Sequence, residues 1–151
     1  MSLEKKVMGD LVIAMKAKDD AALRGLRAIK AEIIKAKTEQ GANGQISEDG
    51  EMKLLQKLVK QRKDSLEIYT QQNREDLAKT EKEEIAIIEK FLPQQLSAEE
   101  IKAALQTIIE NSGVTSAADM GKVMGMASKE LAGKADGKTI SAILKEMLSN
   151  L

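Results

Sequence analysis

Cysteine, histidine and tryptophan are absent from this chain of 151 residues, and proline, tyrosine and phenylalanine occur once each. Without cysteine there is no disulfide framework and no thiolate metal site; without histidine the commonest general base and metal ligand are gone. Serine–histidine and cysteine–histidine catalysis are excluded with them. So few aromatics leave no stacking platform of the kind that single-strand nucleic-acid binders use. No apolar run approaches the ~20 residues of a membrane span, and no signal-peptide pattern opens the chain, so no membrane association is expected. A cytoplasmic location follows, in keeping with the missing cysteines. No metal and no organic cofactor is expected.

Charge is balanced. Residues 1–92 hold 18 basic against 17 acidic side chains and residues 93–151 hold 6 against 7. Neither part has the basic excess of an autonomous nucleic-acid binder, although a local basic face is compatible with a neutral total.

What the chain does have is helical periodicity. Leu3, Val7, Leu11 and Ala14 recur at helical spacing and predict a helix over 3–17. Asp19 and Asp20 open a second, over 20–38, striped by Ala22, Leu26, Ile29 and Ile33. The glycine-bearing stretch from Gly41 to Gly50 is the longest loop. A third helix is expected over 51–71 and a fourth over 74–91, with Asn73 as N-cap; so short a connection makes them antiparallel neighbours. Pro93 cannot continue a helix and marks a boundary after Leu92. Beyond it, Ser97 to Glu100 is a capping box for a helix that ends near Gly113. Two more helices follow, over 116–131 from a Ser116–Asp119 cap and over 136–149. The alternation of strands is missing. The expected fold is all-α: an N-terminal four-helix subdomain with long helices (1–92) and a C-terminal three-helix subdomain (93–151) small enough to lean on its neighbour. A monomer is expected.

Polar residues on apolar stripes are the informative exceptions. In the third helix Gln61, Arg62 and Ser65 stand where the stripes call for Leu or Val; in the fourth, Arg74, Glu81 and Glu84 share the sector of Leu77 and Ile88. Counting outward from the turn near Gln72 brings Arg62 level with Glu81 or Glu84. The favoured reading is a partly buried Arg62–carboxylate pair that sets helix register; the other is a polar pocket whose paired carboxylates serve acid–base chemistry. On the second helix Arg24, Arg27 and Lys35 lie opposite the apolar stripe, as a solvated face or a phosphate contact.

The segment from Ala132 to Thr139 (AGKADGKT) meets the loose spacing of a P-loop. A P-loop needs a preceding strand to hold its amides around the phosphates, and here a helix precedes. Gly133 is better read as a helix-terminating glycine and Asp136 as the cap of the next helix. Lys122, Lys129, Lys134 and Lys138 fall within 17 residues, a modest basic patch diluted by Asp119, Glu130 and Asp136.

Six motifs in order, Met15–Asp19 (MKAKD), Lys60–Ser65 (KQRKDS), Arg74–Leu77 (REDL), Leu92–Ser97 (LPQQLS), Asp119–Met124 (DMGKVM) and Gly133–Lys138 (GKADGK), resemble the YqeY-like proteins, small stand-alone bacterial members of the GatB/YqeY group. The likeness covers essentially the whole chain. The last two motifs are also similar to the tail of the B subunit of the tRNA-dependent glutamyl/aspartyl amidotransferase. The resemblance implies an all-helical fold of two subdomains. It also implies a kinship with carbon–nitrogen ligases that use glutamine as amide donor, whose chemistry resides in other domains and subunits while the tail contacts tRNA. Carried over to this chain, Gly121, Lys122, Gly133, Lys134 and Lys138 are the tRNA-contact candidates. The expected function is therefore a module without catalysis of its own that binds tRNA or assists a tRNA-handling complex. The alternatives are an amidotransferase component and a protein-interaction module with an exposed apolar strip on the first or second helix.

Overall fold

The computed structural model describes residues 2–39, 41–114 and 116–150. Among them are seven α-helices, one short 3-10 turn and no strand. The chain divides into two compact units, Met1–Pro93 and Gln94–Leu151.

The first unit holds α1 (Leu3–Ala17), α2 (Asp20–Thr38), α3 (Glu48–Gln71) and α4 (Glu75–Glu89). The starts of α1 and α2 have a local cause. Ser2 accepts from the Lys5 amide at 3.3 Å and Asp19 from the Ala22 amide at 3.1 Å, which satisfies donors that no helical carbonyl reaches. Between α1 and α2 the chain reverses at Lys18, in the left-handed region at φ 54°. The stripes Leu3–Val7–Leu11–Ala14 and Ala22–Leu26–Ile29–Ile33 are buried together with Leu54, Leu55, Leu58, Val59, Ile85, Ile88 and Leu92. At Gly25 α2 and α4 approach closely: a Cβ there would stand 2.8 Å from Cβ and Cγ2 of Ile87.

Three boundaries differ from expectation. Helix α3 begins at Glu48, not near 51, because Ser47 accepts from the Gly50 amide at 3.0 Å and Glu48, Asp49 and Glu51 load the first turn with negative charge. That outweighs the poor helix propensity of Gly50. Asn73 is not the cap of α4. It takes the left-handed conformation at φ 58°, which Asn tolerates, and so reverses the chain, leaving Arg74 in the cap position without a side-chain cap bond. Helix α4 ends at Glu89, before Phe91 and Leu92 turn back toward the core.

In the second unit, α5 (Ala98–Ser112) opens on a reciprocal capping box. The Glu100 amide donates to Ser97 Oγ and the Ser97 amide to Glu100 Oε1, both at 3.1 Å. Helix α6 spans Met120–Glu130, after a 3-10 turn at Ala117–Asp119 that takes up the start expected at 116. Helix α7 spans Gly137–Ser149 and is capped by Asp136, which accepts from the Thr139 amide at 2.6 Å. Ile101, Leu105, Ile108, Val123, Ala127, Ile140, Leu144 and Leu148 form its core.

Candidate functional site

Two places hold the polar residues singled out above, one in each unit. The first is the seam between α3 and α4. Arg62 Nη2 stands 3.5 Å from Glu84 Oε1, with the two side chains 17% and 13% exposed. Its Nη1 donates to the Leu58 carbonyl at 3.1 Å, and its Nε is buried without a hydrogen-bond partner. Glu81 is half-buried on the same face of α4. Burial pushes its carboxyl above the usual range and the neighbouring Glu84 charge adds to this, while Arg62 opposes it. One guanidinium therefore serves two carboxylates.

Gln61 and Arg74 lie outside this seam. Gln61 is exposed because a residue beside Arg62 on the helix is turned by about 100° from it. Arg74 precedes the first turn of α4 and forks onto Asp76 at 3.1 and 3.2 Å, which lowers the Asp76 carboxyl and raises the guanidinium. Ser65 is half-buried.

The seam's charge surplus has a sign that can be measured. A carboxyl raised in the folded state binds its proton more tightly there than in the unfolded chain, so stability falls as pH rises from about the ordinary value of 4.5 through the raised one. Glu81→Gln is expected to be more stable than the parent at pH 7, with the gain vanishing below about pH 4, where both residues are neutral. Urea midpoints at the two pH values check this; an equal difference at both would remove Glu81 as the cause.

On α2, Arg24 donates to Glu83 Oε2 of α4 at 2.8 Å, so it bridges two helices and is not a free phosphate contact. Arg27 and Lys35 are exposed. Glu83 was hidden from a sequence reading because it sits in the acidic run 81–84, where only the packing of α2 on α4 chooses a partner.

The second place is α6 and the turn that follows it. Val123 and Ala127 are buried, which turns Gly121, Gly125 and Ser128 to the opposite, exposed side with Lys122 and Lys129 beside them. A Cβ on Gly121 or on Gly125 would meet nothing within 4 Å. Lys134 and Lys138 are exposed as well. Among the described residues none of these four lysines is held in an ion pair. Gly133 adopts the left-handed region at φ 78°, and the turn around it is tied down from upstream. Gln95 Nε2 donates to the Gly133 carbonyl at 2.7 Å and the Leu96 amide to the Lys134 carbonyl at 2.9 Å. Gln95 and Leu96, from the downstream half of the Leu92–Ser97 motif, thus meet the Gly133–Lys138 motif within the second unit. Gly125 did not stand out in the sequence; its signal was the glycine four residues earlier on the same helix face.

The P-loop spacing carries no phosphate cradle. A helix precedes it, and the Asp136 carboxylate already accepts from an amide at the start of α7, the place a phosphate would take. No cluster of acidic side chains that could hold a metal ion occurs among the described residues, and no helix there is long and apolar enough to cross a membrane.

Comparison with known proteins matches residues 4–148 to one family, described as "Yqey-like protein". Among the relatives are proteins named "Altered inheritance of mitochondria protein 41, mitochondrial". That of Pyrenophora tritici-repentis is 29% identical over 150 residues, 95% of this chain and 79% of the relative. The Vanderwaltozyma polyspora protein is 31% identical over 77% of the chain and 67% of its own length. That of Lachancea thermotolerans is 39% identical over 56% of the chain and 45% of its own length. These names overturn the cytoplasmic location expected above. The missing cysteines and apolar runs do not discriminate cytosol from mitochondrion, and the relatives are named as mitochondrial. With a family match that runs almost from end to end of an all-helical chain, the protein belongs to the YqeY-like family.

Proposed function

We propose that the chain is a non-catalytic helical module that binds structured RNA, tRNA foremost, through the outward face of α6 and the α6–α7 turn. The observation that carries this reading is the pair Gly121 and Gly125. They lie about one turn apart on an exposed helix face, with open space above both and unpaired lysines alongside. Glycine inside a helix costs about 1 kcal/mol relative to alanine, and among the described residues no contact requires Gly125 to lack a side chain. A bare helix face lets a sugar–phosphate backbone come close, and Lys122, Lys129, Lys134 and Lys138 supply the charge that neutralises it. RNA duplexes are recognised by shape and backbone, which needs neither the aromatics nor the base-reading residues this chain lacks. The similarity of the two C-terminal motifs to the amidotransferase tail supports the same partner.

Filter binding with tRNA tests it. Binding is expected to weaken steeply with salt, with a log–log slope of roughly −3 if four lysines engage phosphates. Lys122→Glu combined with Lys134→Glu is expected to lower affinity about tenfold or more, and Arg24→Glu to leave it near the parent value. Absence of binding at low salt, or binding indifferent to the lysine reversals, would reject the reading.

A further inference from the structure

Asparagine followed by glycine is a chemically labile pair, and the chain carries one, Asn43–Gly44, in the loop between α2 and α3. A backbone nitrogen that reaches the side chain of the preceding asparagine displaces ammonia and closes a five-membered imide. Glycine, with no Cβ, crowds that approach least. Of the four asparagines, Asn43 and Asn73 are exposed in the left-handed region, at φ 53° and 58°. They differ in the attacking nitrogen. The Arg74 amide, which follows Asn73, donates to the Tyr69 carbonyl at 2.9 Å. The Gly44 amide has no hydrogen-bond partner among the described residues, and neither has the Asn43 side chain. A Cβ on Gly44 would meet nothing within 4 Å, so no wall stands over the place a ring would take. Asn111 lies inside α5, where the next amide belongs to the helical ladder. The turn across Asn43–Gly44 is closed by one bond, from the Gln45 amide to the Ala42 carbonyl at 3.0 Å, with positive φ at both central residues as in a type I′ turn.

From these features we infer that Asn43 is a site of spontaneous covalent modification, converted to aspartate and isoaspartate through a cyclic imide with Gly44. Water is the only co-reactant. Asn43 first leaves the left-handed turn, which breaks the Gln45–Ala42 bond and brings its Cγ to the Gly44 nitrogen. That amide gives its proton to hydroxide, its nitrogen bonds to Asn43 Cγ, and the side-chain nitrogen departs as ammonia. Water then opens the imide. Cleavage at Cγ restores the original backbone with aspartate at 43; cleavage at the backbone carbonyl carbon routes the chain through the side chain, as isoaspartate. Either product adds a negative charge, and isoaspartate adds a backbone atom that a two-residue turn cannot accommodate. The change falls at the rim of a cleft of about 260 Å³ lined by Gly44, Gln45, Glu4, Glu51 and Lys37 among others. Lys37 is already paired with Glu4, so the new carboxylate meets two acids there and no free cation among the described residues. The loop thus carries a slow, irreversible change of charge and shape driven by rising pH.

The test is incubation of the full chain at pH 6 and pH 8, beside the free peptide GANGQ, with peptide mapping by electron-transfer mass spectrometry to separate aspartate from isoaspartate. At pH 8 Asn43 is expected to convert, isoaspartate included, at a rate within about tenfold of the peptide's, because one exposed turn bond is all that opposes it. At pH 6 conversion is expected to slow, since less hydroxide is present to take the amide proton. Asn73 and Asn111 are expected to stay intact over the same period. Gly44→Ala is expected to slow the reaction about tenfold or more, as the added methyl crowds the attacking nitrogen. Arg74→Gly gives Asn73 the same neighbour as Asn43. Asn73 is nevertheless expected to convert at least about tenfold more slowly than Asn43, because the Tyr69 carbonyl holds the amide that must attack. An intact Asn43 after the peptide has converted, aspartate without isoaspartate, or a rate indifferent to Gly44→Ala would overturn the inference. So would an Asn73 that converts as fast as Asn43 in the Arg74→Gly variant.

Discussion

Arg62→Ala is expected to destabilise the first unit by about 3 kcal/mol at pH 7, read as a lower urea midpoint at unchanged slope. The cost comes from what is left behind more than from what is removed. Glu84 is 13% exposed and loses its cation, and Glu81, already raised by burial and by Glu84, loses the one charge that favoured its ionised form. The Glu81 carboxyl then rises further, so the penalty is expected to shrink in acid, where Glu81 binds a proton and its repulsion with Glu84 disappears. Arg62→Met combined with Glu84→Met is expected to recover most of the stability, because two apolar side chains of similar volume need no compensation. If the single variant costs less than about 1 kcal/mol, water already satisfies the seam and Arg62 does not hold α3 in register with α4.

Gly25→Ala is expected to cost about 1 kcal/mol net despite adding a better helix former. The new Cβ would stand 2.8 Å from Cβ of Ile87, an atom fixed by the backbone of α4 that no rotamer change can move, so the two helices must separate. Such overpacking costs typically 1–3 kcal/mol, against about 1 kcal/mol gained in propensity. Gly9→Ala, over open space, is expected to stabilise by up to about 1 kcal/mol. Thermal and urea unfolding of the pair checks the contrast. Equal effects would mean that α2 and α4 can shift apart at little cost.

These two glycines mark how far a sequence reading reaches. Both lie inside helices that periodicity places well, and neither the residue nor its neighbours along the chain say which one is pressed against another helix. Arg62 is an intermediate case. Its place on an apolar stripe of α3 was legible, and counting from the turn brought it level with Glu81 or Glu84, but only the distance across the helices selects Glu84. Arg74 misled because its sector on the helical wheel was right while its position, before the first turn, left it free to bind Asp76. Asn73 misled for a related reason: the same short polar side chain suits an N-cap and a left-handed reversal, and the closeness of α3 to α4 demands the reversal.

What the amino-acid order determined unaided is set within about four residues: seven helices, the caps at Asp19, Ser97 and Asp136, and a chemistry without imidazole or thiol. Helix hydrogen bonds and capping bonds close over that range, so they can be read locally. The tertiary structure alone decided which charges meet, Arg24 with Glu83 and Arg62 with Glu84, and that Gln95 reaches the Gly133 carbonyl. It alone separated Gly25, pressed against a neighbouring helix, from Gly9 and Gly125, which face open space. Those outcomes depend on the spacing and rotation of whole helices, and packing sets these quantities between residues that lie far apart along the chain.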